Sequence, residues 1–406
     1  MRGIYLCFLF YSTNLTAQNL QSLIKGKNIN ATFSILAYDP SAQEWGIAVA
    51  TNNIYVGNST VYIQPGLGAF SVIAETDPAY AMNGFAALKA GSDIREAIER
   101  TMKVDSEAYS RQVSGIDALG NCFAFTGSTW KFQKGFAGSL VGKGYVVMGN
   151  QLGDSVLKFM SAAFERTEGS LAIRLLAALI AGEKAGGQVQ GKQSAALVVK
   201  GTRNDWYNNI DLRVDNAKDP FGDLEHLLNY HYGRIRLNQA IFAIKMGNIS
   251  LGKTRLSEAQ QMVKGWNGIQ GKVAMAYILL SEESKAVTVI RAALNENPKW
   301  KENLPAFYLL KNQPGMKGLI NEKSFTEKNW ISAVSFLGEL NRNTEAVALC
   351  RKGLQLNPLS SYLHYLLGKS LLNDGKTEEA KKNLQTAIHL DPSNDEAVIM
   401  LEQISK

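Results

Sequence analysis

The stretch Thr32-Phe33-Ser34-Ile35-Leu36-Ala37-Tyr38-Asp39-Pro40-Ser41-Ala42-Gln43-Glu44-Trp45-Gly46-Ile47-Ala48-Val49-Ala50-Thr51 decides the fold of the first half of this chain. Two runs rich in β-branched, aromatic and small apolar residues, 32–38 and 45–51, flank the turn formers Asp39-Pro40-Ser41-Ala42, which predicts an antiparallel hairpin with a short loop. Similar runs occur at 60–63, 69–74, 113–117, 122–126, 146–148, 194–200 and 211–215, with 113–117 and 122–126 forming a second hairpin around Gly120-Asn121. Between them the apolar spacing becomes helical, at 83–90, in a helix capped by Ser92, and at 155–166 and 170–182. Leu171, Leu175, Ala178 and Leu179 share one face of the last. Strands, a block of helices, then strands again predict an α+β layered domain with antiparallel sheets.

Beyond Asp219-Pro220 the pattern is helical to the end of the 406 residues, a length with room for two domains. Pro358 and Pro392 lie 34 residues apart, and in that register 361–394 carries Leu367-Gly368, Leu371, Gly375, Ala380, Leu384, Ala387 and Pro392. This is the tetratricopeptide pattern of small and large residues. Units 233–266, 267–300 and 327–360 keep part of it: Gly247, Leu256 and Ala259; Tyr277, Ala286, Ala293 and Pro298; Leu337, Ala346 and Pro358. Residues 301–326 are out of register and are expected to hold a divergent or shortened helical pair. Small residues let paired helices approach, and proline stops the second helix of each pair, so 221–406 predicts an all-α, tetratricopeptide-like solenoid able to bind a protein or peptide partner.

The N-terminus has the grammar of an export signal: Arg2, an apolar run over 4–11, and Leu15-Thr16-Ala17 as a cleavage point before Gln18. Residues 1–17 are therefore expected to be a signal peptide, 18–31 a polar linker or pro-segment, and the protein periplasmic or extracellular. No other run reaches the roughly 18 apolar residues of a membrane span. Of three cysteines, Cys7 would leave with the signal, while Cys122 and Cys350 fall in different domains, so no disulfide is expected. The net charge is +7, but basic residues never run longer than a pair, which points to solubility rather than a nucleic-acid partner. No Walker loop, dinucleotide fingerprint, Cys-x-x-Cys pair or Ser-His-Asp set is present, and His226 and His231 lack metal-ligand spacing, so neither cofactor nor metal is expected.

A second segment, Ala185-Gly186-Gly187 followed by Gly191-Lys192-Gln193-Ser194-Ala195-Ala196-Leu197-Val198-Val199, pairs with the first. Together they resemble the family called domain of unknown function 1028, whose members typically begin with a Thr-Phe-Ser-Ile strand. The resemblance implies an N-terminal-nucleophile (Ntn) hydrolase-like αββα four-layer sandwich over 32–220. In that chemistry a Thr at a new N-terminus attacks a carbonyl while its own α-amine, with a pKa of roughly 7.7–8.0, takes the proton. Thr32, the first residue of the first strand, is the candidate nucleophile; the alternative is an ordinary β-branched strand residue. Many relatives have Met directly before this Thr, whereas here 18–31 precede it, so unmasking needs self-cleavage, another protease, or signal cleavage at Ala31.

Asn52 and Asn53 end the second strand, where amide donors could hold an oxyanion; they equally suit a turn. Gly149-Asn150 matches a Gly-Asn step of the family, or else a tight turn, and Gln193-Ser194 matches its Gln-Ser-Ala-Ala-Leu segment at a strand mouth suited to substrate contact. Glu75 and Asp77 follow a strand and could orient or titrate. The chain departs from the family at Gln188 and Gln190, where relatives carry an acidic residue and an arginine, and at Thr51-Asn52-Asn53. Two functions follow: an amide hydrolase acting on a small or peptide-derived substrate, or a catalytically silent binding protein of the cell envelope. Some relatives carry a C-terminal module thought to bind peptidoglycan, which makes a cell-wall ligand part of the second.

Overall fold

Asp39 closes the first turn with its own side chain: its Oδ1 accepts from the backbone N–H of Ser41 and Ala42 at 2.9 and 3.2 Å, and from Ser41 Oγ at 2.6 Å. That turn fixes the register of the hairpin, with Asp39 opposite Glu44 and Thr32 opposite Thr51. The computed structural model describes residues 31–405, so the expected signal 1–17 and the linker up to residue 30 lie outside the described residues. Contacts divide the chain into two units between Leu228 and Asn229, within the helix Pro220–Lys245.

In the first unit the strands are β1 (Thr32–Asp39), β2 (Glu44–Thr51), β3 (Val61–Gln64), β4 (Gly68–Ala74), β5 (Arg111–Asp117), β6 (Cys122–Thr126), β7 (Phe136–Gly142), β8 (Tyr145–Leu152), β9 (Ser194–Gly201) and β10 (Ile210–Val214). They form two antiparallel sheets, ordered β10-β9-β2-β1-β8-β7 and β3-β4-β5-β6. β1 lies in the middle of the larger sheet and is buried on both faces, which is why its sequence reads as an almost unbroken apolar run. One face meets the second sheet: Ser71 Oγ donates to Ser34 Oγ at 3.0 Å, and Leu36 packs with Ala69 and Ile116. The other face meets helices α3 (Val156–Arg166) and α4 (Leu171–Lys184). There a Cβ on Gly46 would lie 2.4 Å from Leu175 Cδ1, so glycine sets the approach of α4 to the sheet. Helices α1 (Ala79–Lys89) and α2 (Ile94–Met102) cover the smaller sheet, packing Tyr80, Ala81, Ile94 and Ile98 on Phe70, Val72 and Val113.

The expected strands are all present, with ends displaced by a few residues. Two details differ. The cap of α2 is Asp93, which accepts from Glu96 N–H at 2.8 Å, because the backbone of Ser92 is spent closing the preceding helix on Ala87. β7 was not legible because, as an edge strand with little buried surface, Phe-Ala-Gly-Ser-Leu-Val-Gly has no clean alternation.

The second unit is helical: Ile249–Met262, then the pairs Gln270–Leu279 with Glu283–Glu296, Glu327–Glu339 with Asn343–Leu356, and Ser361–Asn373 with Thr377–Leu390, then Asp395–Ser405. The last two pairs begin 34 residues apart, at Glu327 and Ser361. Gly368 is the contact point of its pair: a Cβ there would lie 2.8 Å from Leu384 Cγ. In and beside the segment 301–326, Pro298–Leu310 is a kinked run of 3-10 turns, with Pro305 removing an amide donor and Phe307 at φ −89°, ψ 28°, and a further 3-10 turn follows at Glu322–Ser324. Among the described residues no helix is long and apolar enough to cross a membrane.

Candidate functional site

Directly opposed residues of antiparallel strands point to the same face. Register therefore lines up Ser194, Thr51, Thr32 and Asn150 across β9, β2, β1 and β8, a polar row at one end of the larger sheet facing the smaller one. All four are buried; Thr32 is 4% exposed and Asn150 fully enclosed. Thr32 Oγ1 lies 3.0 Å from Thr51 Oγ1, and the Thr32 N–H donates to Asn150 Oδ1 at 3.3 Å. Asn150 is held in turn: its Nδ2 donates to Gln112 Oε1 at 2.8 Å, while Gln112 Nε2 donates to the Gly149 carbonyl at 2.9 Å and to Thr126 Oγ1 at 3.1 Å. Gly149 is required beside it, since a Cβ would lie 2.8 Å from Phe33 Cβ and 3.0 Å from the Thr32 carbonyl oxygen.

The bond before Thr32 is gripped from both sides. The Ala31 carbonyl accepts from Thr51 Oγ1 at 2.8 Å and from the Asn52 N–H at 3.3 Å, and the Ala31 N–H donates to Asn52 Oδ1 at 2.8 Å. Because Thr51 spends its one hydroxyl proton on Ala31, its contact with Thr32 is one in which Thr32 Oγ1 donates. The result is a directed chain, Thr32 hydroxyl to Thr51 hydroxyl to Ala31 carbonyl. Among the described residues the partners of Thr32 are Thr51 and Asn150, neither of which titrates near neutrality.

The remaining sequence candidates separate. Asn52 belongs to the cluster through backbone and side chain, and its Nδ2 donates to Gln190 Oε1 at 3.0 Å. Asn53 enters only by its backbone N–H, 3.4 Å from Thr51 Oγ1; its amide hydrogen-bonds to none of the described residues. Gln193 is half-buried: its N–H donates to the Thr51 carbonyl at 2.9 Å and its Nε2 to Asn216 Oδ1 at 2.7 Å. Asn216 lines a cavity of about 300 Å3 with Ile54, Tyr55, Asn58, Arg213 and Asp215, beside the end of β2. Ser194 stands in the polar row with its Oγ buried and without a hydrogen-bond partner among the described residues. The Glu75 side chain is not in the row; that residue is exposed, and its backbone carbonyl accepts from Arg111 Nη1 at 2.9 Å.

Four residues were missed or undervalued. Thr51 was legible in principle, because counting outward from the Asp39–Glu44 turn puts it opposite Thr32. Gln112 comes from the other sheet, Gln151 is the last residue but one of β8 with φ at +52°, and Gln190 Nε2 donates to Gln151 Oε1 at 2.7 Å; no spacing rule brings these three to Thr32. Next to Gln112, the nearly buried Arg111 donates from Nε to Asp105 Oδ2 at 3.0 Å, and Tyr80 OH to the same oxygen at 3.1 Å. Burial alone would raise the Asp105 carboxyl, but the bonds from Arg111, the Glu107 backbone and Tyr80 hold it below its ordinary value. Among the described residues no group of three or more His, Cys, Asp and Glu could hold a metal ion.

The model of a family of unknown function, DUF1028, matches residues 32–224. Protein SPO2555 from Silicibacter pomeroyi, a crystal structure of that family, is 34% identical over 49% of this chain and 84% of its own, with a TM-score of 0.45. The chain belongs to the DUF1028 family. In this DUF1028 protein a tetratricopeptide-repeat model also matches 349–382, so the helical region resembles tetratricopeptide proteins. MamA from Desulfovibrio magneticus RS-1 is 17% identical over 42% of this chain and 82% of its own, with a TM-score of 0.20. YrrB, described as a TPR protein with an unusual peptide-binding site, is 15% identical over 41% and 90%, with a TM-score of 0.23. No curated protein matches the chain.

Proposed function

We propose that this DUF1028 protein is an exported amide hydrolase of the N-terminal-nucleophile type, an αββα four-layer sandwich with Thr32 as nucleophile, joined to a solenoid that docks a protein or peptide partner. The observation that carries the proposal is the directed chain from the Thr32 hydroxyl through Thr51 to the Ala31 carbonyl. It provides a route for self-cleavage. Thr32 Oγ1 bonds to the Ala31 carbonyl carbon while its proton passes through Thr51 to the carbonyl oxygen, which the Asn52 N–H also holds. Collapse breaks the C–N bond, the Thr32 nitrogen takes the proton as an amine, and an Ala31–Thr32 ester remains. Water splits that ester into the Ala31 carboxylate and a free Thr32.

The freed amine is then the base, within reach of Asn150 Oδ1, and with a pKa of roughly 7.7–8.0 it accepts the hydroxyl proton as Thr32 attacks a substrate amide. Thr51 and the backbone of Asn52 then serve the substrate oxyanion, Asn53 steadies Thr51, and Gln193 links the site to the cavity at Asn216. The rate should rise with pH through the amine pKa, because only the neutral amine accepts a proton.

A second reading has its own observation: with the Ala31–Thr32 bond intact, Thr32 is buried and its nitrogen is an amide, so the uncut form has no base. That form would act as a silent binding protein through the helical region. Intact mass and N-terminal sequence of protein recovered from its native host separate the two. A chain starting at Thr32 is expected, and Thr32→Ala should abolish both processing and hydrolysis. Chains that all retain Ala31 would sink the hydrolase and leave the binder.

A further inference from the structure

We infer that the acyl side of this site is built for a small L-residue held by its own backbone amide, so that the substrates are peptides or N-acylated amides with alanine on the acyl side of the cleaved bond. The inference rests on the nucleophile role proposed for Thr32 and adds the substrate class. It follows from what Ala31 does in the uncut chain. The ester formed when Thr32 Oγ1 attacks Ala31 has the same bond, on the same oxygen, as the acyl-enzyme formed from any peptide whose acyl residue is alanine. A site that makes and hydrolyses the first is equipped to make and hydrolyse the second.

The grip on Ala31 is specific in three ways. Its carbonyl takes two donors, Thr51 Oγ1 and the Asn52 N–H. Its N–H meets Asn52 Oδ1 at 2.8 Å, a contact that an acyl chain without an α-amide cannot make. The orientation of the Asn52 carboxamide is fixed from behind, because its Nδ2 donates to Gln190, whose Nε2 donates to Gln151. Oδ1 therefore faces the ligand as an acceptor. Finally, Ala31 is wholly buried, so each carbon added to its side chain has to displace packed atoms. Asn52, Gln151 and Gln190 are neutral, which suits an uncharged peptide group. In turnover the Thr32 Oγ1–acyl bond forms and the substrate C–N bond breaks, the leaving nitrogen takes the proton carried by the Thr32 amine, and water then releases the N-acyl-alanine.

The test uses the full chain, with its N-terminus established by mass. A β-lactone, which acylates an N-terminal threonine hydroxyl whatever the side-chain preference, reports the nucleophile alone. N-acetyl-L-alanine, N-acetyl-L-leucine and propionic acid amides of one aminocoumarin report the acyl side. Expected are lactone addition to the fragment starting at Thr32, and a kcat/KM for the alanyl amide about tenfold or more above both others, the effect of one lost hydrogen bond or one overpacked side chain. Separately, Ala31→Leu should slow self-cleavage about tenfold or more in a chain whose thermal melt shows it folded. Lactone addition with equal turnover of the three amides would overturn the alanyl assignment and leave the nucleophile standing, as would wild-type self-cleavage of a folded Ala31→Leu. If the lactone does not add and the chain stays uncut, both fall together.

Discussion

The two units bury different things. Among the described residues, fourteen of the buried polar or charged side chains lie before residue 229, and three, Ser360, Ser370 and Asn394, lie after it. The helical unit satisfies its backbone within each helix and fills its interior with Trp330, Leu363, Leu367, Leu371, Ala380 and Leu384, a core that answers to shape and volume. The layered unit places Thr32, Thr51, Gln112, Asn150 and Ser194 at one end of the space between its sheets, where each polar atom needs a partner or costs about 1–3 kcal/mol. The difference teaches where to look for chemistry. Buried polarity in the helical unit is sparse, and Ser360 and Asn394 spend theirs on capping, Ser360 Oγ accepting from the Leu363 N–H and Asn394 Oδ1 from the Ala397 N–H; in the layered unit part of it converges on one peptide bond.

The largest expected effect lies in the apolar core. Leu384→Ala should lower the stability of the helical unit by about 2–5 kcal/mol, read from urea unfolding of the full chain, while cleavage at Thr32 proceeds at its wild-type rate. A matching loss of cleavage would break the comparison by showing that the two interiors are not independent. Next, Gln112→Ala strips Asn150 Nδ2, the Gly149 carbonyl and Thr126 Oγ1 of a shared partner; a cost of about 1–3 kcal/mol is expected, with slower cleavage because Asn150 is no longer held. An unaltered midpoint and cleavage rate would mean that the buried amides are tolerated rather than used.

The smallest effect is acid sensitivity of the helical unit. Bonds from Lys352 and Tyr308, with Lys311 at 3.0 Å, hold the Glu322 carboxyl down at about 2, from an ordinary 4.5. The folded form thus binds this proton less readily than the unfolded form, so the contribution is complete above pH 4.5 and is lost as pH falls toward 2. The side chain is 29% exposed, which keeps the effect small. Midpoints of the Lys352→Ala chain should converge on those of the wild type as pH falls through this window; a constant gap would remove Glu322 from the acid response.

Much of this was written locally. Strand alternation, the Asp39 turn and the 34-residue spacing of Pro358 and Pro392 predict elements because each depends on neighbours within one turn, one hairpin or one repeat. Over 301–326 the repeat spacing lapses, and Pro305 and the kink at Phe307 give a bent run of 3-10 turns. At the site, the sequence supplied Thr32, Asn52 and Asn150, and the hairpin register supplied Thr51. It gave no access to Gln112 and Gln151, and it put Glu75 and the Asn53 side chain in a cluster they do not join.

The sequence by itself determined most of the strands and helices, with the edge strand β7 the exception, where the first hairpin turns, and that a threonine begins the first strand. Only the tertiary structure decided that Gln112, from the other sheet, steadies Asn150, and that the Ala31 carbonyl sits under the Thr51 hydroxyl. The physical reason is range: propensity and periodicity act between near neighbours, whereas a hydrogen bond between residues 38 or 118 positions apart exists only once the sheets have paired and packed.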